Sequence, residues 1–385
     1  MATGDGLRRF AAAPPVSELR PTRILLHLPN PLGDAVMAEP AARAIAARFP
    51  EARVEVLISA PIAALPESWS FVDEIWPVIA GGRARERLDA LWLGWRLGRR
   101  GYDLAVLFPN SLRAARLAAG SRAARVLAYP GHDRERLLTD RVPAPIAPVE
   151  THMVVFYWGL AAALGCGPVP RKTELDAAGP RETRTILAGD PRSVPRIRPT
   201  PAMQVAARDL LDRGGIRDEP FIAMAPGAAF LGARCWPAER YGELCRRLAG
   251  ELGRPCVLLG RRDERALGAA VRVAAGAATT IDLTGHADVG MLLGILARAS
   301  LFVGNDSGAA HVAAALGLPG VAIFGSTSDG RTGPVGPGMQ VVRRPLPCAP
   351  CFQSSCPLGH LDCLRGLSVD LVAAAAHQAL RGRPA

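Results

Sequence analysis

Asp306, Ser307, Gly308 and His311 make a D-S-G-x-x-H spacing inside LFVGNDSGAAHVAAALGLPGVAIFG, residues 301–325. The apolar run from Leu301 to Gly304 predicts a buried strand. A polar turn follows, then an apolar helix from about Ala309 to Leu316, then a strand over Val321–Phe324. A turn between a strand end and a helix start leaves backbone N–H groups unpaired. The helix dipole adds positive potential at the same place. Together they suit a phosphate. Asp306 or Ser307 stands where a side chain can cap the helix, and His311 lies on the first turn, at the same mouth.

Three further loops carry chemistry. Residues 24–40, ILLHLPNPLGDAVMAEP, again read strand–loop–helix, with Asp34 at the lip. A carboxylate there is a candidate general base, or simply a helix cap. The loop from Ala225 to Pro237 follows a strand over Phe221–Met224. In it Gly227 and Ala228 allow close backbone approach, Arg234 offers a fixed cation for a diphosphate, and Trp236-Pro237 anchors the loop and starts a helix. Glu264, in Gly260-Arg261-Arg262-Asp263-Glu264, is placed to accept hydrogen bonds from vicinal ribose hydroxyls, or to complement a helix dipole.

Short apolar runs alternate with helical patterns along most of the chain. This predicts α/β architecture with parallel sheets and right-handed crossovers, ligands lying beyond the carboxyl ends of the strands. The boundaries read as a flexible tail over 1–22, a Rossmann-like domain over 23–175 and a Pro/Arg/Gly-rich linker region over 176–202. A second Rossmann-like domain follows over 203–345, then a Cys-containing excursion and C-terminal helix over 346–385. No GxGxxG fingerprint follows a strand, which argues against a nicotinamide dehydrogenase.

Net charge is +11 over 385 residues, and Lys172 is the only lysine. The arginines are scattered rather than gathered in an aromatic-studded stripe, so a nucleic-acid partner is not expected. No apolar run reaches the roughly 18 residues that span a bilayer. The first residues lack the apolar core of a signal peptide. A cytoplasmic protein is the expectation. Four of the eight cysteines cluster as Cys348-x2-Cys351-x4-Cys356-x6-Cys363, with His360 among them. Two readings stay open: a structural zinc site, for which Cys-x2-Cys is a good half, or reduced, partly buried thiols.

Five segments, in order, resemble the bacterial ADP-heptose:lipopolysaccharide heptosyltransferases, the type II branch most. They are LPNPLGDAVMAEP (28–40), DLAVLFPNS (103–111), PGAAFLGARCWP (226–237), NDSGAAHVAAALGLPGVAIFGST (305–327) and CAPCFQSSCPLGHLDC (348–363). The resemblance implies a GT-B fold, two Rossmann-like domains with the active site between them. It implies inverting transfer of L-glycero-D-manno-heptose from ADP-heptose to the lipopolysaccharide inner core, without a catalytic cofactor. The family's catalytic Asp falls on Asp34, its ribose-binding Glu on Glu264, and its D-S/T-G-x-x-H motif on Asp306, Ser307, Gly308 and His311. Its phosphate-contacting Lys falls on Arg234, a departure that keeps the charge on a bulkier fork. The implied acceptor is a lipid A–Kdo–heptose glycolipid, so the protein would work peripherally at the inner face of the inner membrane. The alternatives are a GT-B glycosyltransferase or epimerase using another nucleotide sugar, and a basic non-catalytic module binding nucleic acid or anionic lipid.

Overall fold

The computed structural model describes residues 18–79, 92–144, 151–178, 180–228, 234–276 and 280–382. The first half runs β1 (Arg23–His27), α1 (Leu32–Arg48), β2 (Arg53–Ser59), β3 (Glu74–Val78) and α2 (92–98). It continues with β4 (Leu104–Leu107), α3 (Leu112–Gly120), β5 (Arg125–Ala128), β6 (Asp140–Arg141) and α4 (Met153–Ala163). The segment read as a linker, 176–202, begins in the last residues of α5 (Lys172–Ala177), holds α6 (Pro180–Ala188) and ends in the first turn of α7 (Pro201–Arg213). The second half runs β7 (Ile222–Ala225), α8 (Ala238–Leu252), β8 (Cys256–Leu258), α9 (Arg265–Ala275), β9 (Thr280–Asp282) and α10 (Val289–Arg298). Then come β10 (Leu301–Asn305), α11 (Gly308–Ala315), β11 (Gly320–Phe324), α12 (Asp329–Thr332), β12 (Met339–Arg343), α13 (Asp362–Arg365) and α14 (Val369–Arg381).

The strands form two six-stranded sheets, ordered β3-β2-β1-β4-β5-β6 and β12-β11-β10-β7-β8-β9. Every recorded pairing is parallel. Both orders are the doubly wound 3-2-1-4-5-6 pattern, and each reverses at one point: between β1 and β4, and between β7 and β10. The central strands are mostly apolar because helices cover both faces; β4, β7 and β10 are buried at every residue.

The two halves share one core. Ile24 and Leu26 on one face of β1 join the same buried cluster as Phe302, Ala310 and Val312. The opposite faces have cores of their own, around Leu25 and Leu107 in one sheet and Leu301 and Val303 in the other. Helix α1 makes the join, packing on α4 and, across the boundary, on α11. Glu39 of α1 is buried, with Arg43 Nε 2.8 Å from it and the Arg196 amide donating to it at 3.0 Å. Nearby the connecting chain donates from Ile197 to the Ala315 carbonyl and from Arg198 to the Ser68 carbonyl, so it is stitched to both halves.

Candidate active site

The loops singled out in the sequence leave the strands at which the sheets reverse. Asp34 sits in the first turn of α1, after β1; residues 226–228 leave β7, and Asp306-Ser307 leave β10. In open α/β sheets the crevice at such a point is where ligands bind.

Asp34 does not cap its helix. The N-cap is Pro31, with no side-chain cap bond. The Asp34 carboxylate instead accepts a hydrogen bond from the Tyr157 hydroxyl of α4 at 3.3 Å. Burial raises its pKa above the ordinary carboxylate value, against the opposing pull of Tyr157 and of the Arg331 charge. A carboxylate held this way is a stronger base than one in water.

At the head of α11 the expected cap is also missing. Ser307 is the N-cap residue, yet its side chain makes no cap bond, and its Oγ is buried without a hydrogen-bond partner among the described residues. Asp306 cannot substitute, because its Oδ2 accepts from the Thr327 hydroxyl at 2.7 Å. The first turn closes through the Ala310 amide and the Ser307 carbonyl at 3.1 Å. The leading amides and one hydroxyl of this helix therefore stay available to a ligand. Burial raises the Asp306 pKa; Thr327 and Arg234 oppose that, while Asp34 and Asp329 add to it. Asp34 of the first half and Arg234 and Asp329 of the second are thus each within electrostatic reach of Asp306.

His311 stands at the mouth as a wedge rather than a cation. It is buried, and burial with the neighbouring His152 lowers its pKa to about 3. Its ring lies where a Cβ on Gly33 would come within 2.7 Å of Cδ2, so only glycine fits opposite it. Gly308 likewise faces Leu32. The N-termini of α1 and α11 meet at this interlock.

The second domain's side of the crevice is framed by Asn305 and Glu264. Asn305 is fully buried; its Nδ2 donates to the Pro226 carbonyl at 2.6 Å, and its Oδ1 accepts from the Trp236 amide at 3.2 Å. It holds both ends of the loop that carries Arg234. Residues 229–233 of that loop lie outside the described residues. Trp236 is fully buried and donates from Nε1 to the Leu367 carbonyl at 3.2 Å. Glu264 is buried after β8, the second strand of its domain, where Rossmann domains place a ribose-binding acid. It accepts from the Arg261 amide at 2.7 Å and lies 3.4 Å from the Arg261 guanidinium. Gly227 passes directly over its carboxylate, where a Cβ would collide; Ala228 is buried beside it.

Several of these partners escaped sequence reasoning: Tyr157, Asn305, Thr327, Asp329, Arg331 and His152. His152 caps α4, its Nδ1 accepting from the Val154 amide at 3.2 Å, while Nε2 lies 3.0 Å from the Gly333 carbonyl. The second contact requires a proton on Nε2, so the ring is neutral and bridges the halves; burial lowers its pKa to about 4. The GST triplet at 325–327, directly after β11, was the one available signal for Thr327.

Asn305→Ala tests the frame. It leaves the Pro226 carbonyl and the Trp236 amide unpaired, at a cost of about 2–4 kcal/mol. The urea midpoint should fall by a corresponding amount, and the KM for the nucleotide donor should rise more than kcat falls. A variant with unchanged KM would mean that this loop does not hold the donor.

The four clustered cysteines are free thiols. Cys363 is buried, and its pKa is raised by burial and by the neighbouring thiols of Cys351, Cys356 and Cys348. Backbone N–H groups of residues 358–361 surround Cys356 and lower its pKa. The thiols are neighbours, but among the described residues no group of three or more His, Cys, Asp or Glu side chains is arranged to hold a metal.

Solved structures identify the class of fold. The structure of E. coli ADP-heptose lps heptosyltransferase II matches with a TM-score of 0.75 at 24% identity, covering 93% of this chain and 98% of that one. Two Rossmann-order domains around one cleft, matched in this way, define a GT-B protein. Residues 91–362, more than two thirds of the chain, match glycosyltransferase family 9 (heptosyltransferase). The chain belongs to that family and is a glycosyltransferase. It is 29% identical over 328 residues to lipopolysaccharide heptosyltransferase 2 of Escherichia coli K12, and 27% identical over 326 residues to that of Salmonella typhimurium. Each alignment covers 83% of this chain and 88% of the relative.

Proposed function

We propose that the protein transfers L-glycero-D-manno-heptose from ADP-heptose to the inner core of lipopolysaccharide, with inversion at C1 and Asp34 as general base. One observation carries the proposal: a raised, Tyr157-braced carboxylate from one domain lies within electrostatic reach of Asp306 at an uncapped helix N-terminus of the other. The relatives' names supply the sugar, the nucleotide and the acceptor class.

In this scheme ADP lies on the second domain. Glu264 receives the ribose, which requires it to loosen from Arg261. The diphosphate sits over the amides of Ser307 and Gly308, with Ser307 Oγ and Arg234 as further partners, since the Asp306 amide donates to the Ile323 carbonyl at 2.9 Å; Asp306 faces the heptose hydroxyls. The acceptor hydroxyl enters from the first domain. Asp34 takes its proton as the oxygen attacks C1 opposite the leaving ADP. Arg234 and the helix amides stabilise charge building on the diphosphate. His311 sets the distance between the two helix heads rather than touching charge. Closing the domains excludes water and limits donor hydrolysis. Among the described residues no helix is long and apolar enough to cross a membrane, so the acceptor would be met at the lipid surface.

A donor panel tests the substrate. Purified protein is given a lipid A–Kdo–heptose acceptor and ADP-heptose, UDP-sugars or GDP-sugars, and product mass is measured. One heptose added, from ADP-heptose only, is the expected result. Turnover with a UDP- or GDP-sugar would replace the proposed donor, and epimerised free nucleotide sugar without transfer would replace the reaction.

For the thiols we adopt the reduced reading, since they are gathered but not arranged around a metal. Elemental analysis of protein purified without chelator should give less than about a tenth of an equivalent of zinc or iron. A stoichiometric value would establish the metal site instead.

A further inference from the structure

We propose that the outer face of α2 and the turn that ends it, carrying Trp92, Trp95, Arg96 and Arg99, docks the chain onto an anionic lipid surface. Helix α2 is firmly seated: Leu93 and Leu97 are buried in the core with Tyr102 and Leu107. Gly94 approaches Gly120 of α3 so closely that a Cβ on either would touch the other's Cα, at 3.5 and 3.1 Å. Nothing about that seat requires the outward positions to be apolar. Yet Trp92 is 57% exposed and Trp95 60% exposed, and Ile79, just beyond β3, is 48% exposed.

Arginines stack on these rings. Arg96 lies 4.7 Å from the Trp92 ring centre and 4.8 Å from that of buried Trp76; Arg99 lies 4.8 Å from that of Trp95. Arg100 is committed to Glu74 and Trp76. Among the described residues Arg96 and Arg99 have no carboxylate partner. The face therefore presents two rigidly placed indoles with unneutralised guanidinium groups on them. Indole favours the boundary between water and lipid, and guanidinium pairs bidentately with phosphate while its stem lies along apolar surface. Arg116 of α3 and Arg122 are exposed as well, and the Arg122 stem reaches the α2 seat at Gly98. Positive charge on a protruding aromatic face is complementary to an anionic bilayer.

Helix α3 starts immediately after the loop that leaves β4, at the reversal point of the first sheet, and its nine residues rise about 13 Å to the contact with α2. Docking by α2 would hold the first domain at the lipid surface, with its cleft about one helix length away. This purpose rests on the proposed lipid-linked acceptor; the binding itself does not.

Flotation of the full chain decides it, using vesicles of equal parts phosphatidylglycerol and phosphatidylcholine beside vesicles of phosphatidylcholine alone. No donor or acceptor is added, so a negative result leaves heptosyl transfer untouched, and a failed transfer assay leaves the flotation result standing. The chain should float with the anionic vesicles and its tryptophan emission should shift to the blue. Trp92→Ser/Trp95→Ser and Arg96→Glu/Arg99→Glu should each lower partitioning on the order of 10-fold or more, and both should still melt cooperatively because Leu93 and Leu97 keep α2 seated. Absence of flotation with the anionic vesicles, or flotation of both double variants equal to that of the unaltered chain, would overturn the proposal. So would an oligomer that the variants split in sedimentation while vesicle binding is unchanged, since a second copy of the chain would then cover this face.

Discussion

With Asp34 replaced by Asn, the protein should bind ADP-heptose as before and transfer heptose at least ~10²-fold more slowly. Folding should survive, because Pro31 is the N-cap and no backbone amide depends on the Asp34 side chain for its cap bond. The amide keeps the size of the carboxylate and can still accept from Tyr157, 3.3 Å away. Donor affinity should hold, because the diphosphate loops belong to the other domain. The pH dependence follows from the raised pKa of Asp34. As pH falls, the carboxylate takes up a proton above the ordinary carboxylate range and kcat declines there. Asp34→Asn should lose that acid limb along with the rate. Calorimetry with ADP-heptose and single-turnover transfer make the paired measurement. Unchanged turnover would remove Asp34 from the chemistry. Lost donor binding with a lowered melting temperature would make it a strut for Tyr157.

Arg234→Ala should lower kcat/KM on the order of 10²-fold, with both kcat and KM affected, because the same charge meets the ground state and the transition state. Arg234→Lys should be mild: the charge remains, and the point-like ammonium is what the family carries at this position. The Arg234 charge already lowers the pKa of Asp306 against the burial that raises it. Removing it should therefore push the Asp306 pKa higher, and part of the loss should be recovered at higher pH, where Asp306 stays ionised. Normal turnover by Arg234→Ala would mean that the guanidinium does not reach the diphosphate.

What the sequence made legible was local. The loops holding Asp34, Gly227 and Asp306-Ser307 each follow a short apolar run and precede a helix, and both signals lie within about a dozen residues. Parallel α/β rules then place those loops at one edge of a sheet. The strand order was open in the sequence, and it is what brings the loops of β7 and β10 together. The missing residues were non-local. Tyr157 reaches Asp34 across 123 positions, His152 reaches Gly333 across 181, and Asn305 reaches Pro226 across 79. No periodicity encodes such pairings. The cap expectations for Asp34 and Ser307 failed for a related reason: a long-range partner, Tyr157, takes up one side chain, and Thr327 takes up the carboxylate next to the other. The sequence places His311 at the mouth, facing the ligand, because its helix starts there. Only the packing of Gly33 against its ring identifies it as a buried, neutral wedge.

A crystal structure of the protein with bound ADP-heptose tests the division of labour between the two domains most directly. The diphosphate should lie over the amides of Ser307 and Gly308 with Ser307 Oγ and Arg234 in contact, the ribose should be at Glu264, and heptose C1 should face the Asp34 carboxylate across an open acceptor channel. A diphosphate bound in the first domain, or a C1 turned away from Asp34 with another base on its open face, would contradict that division.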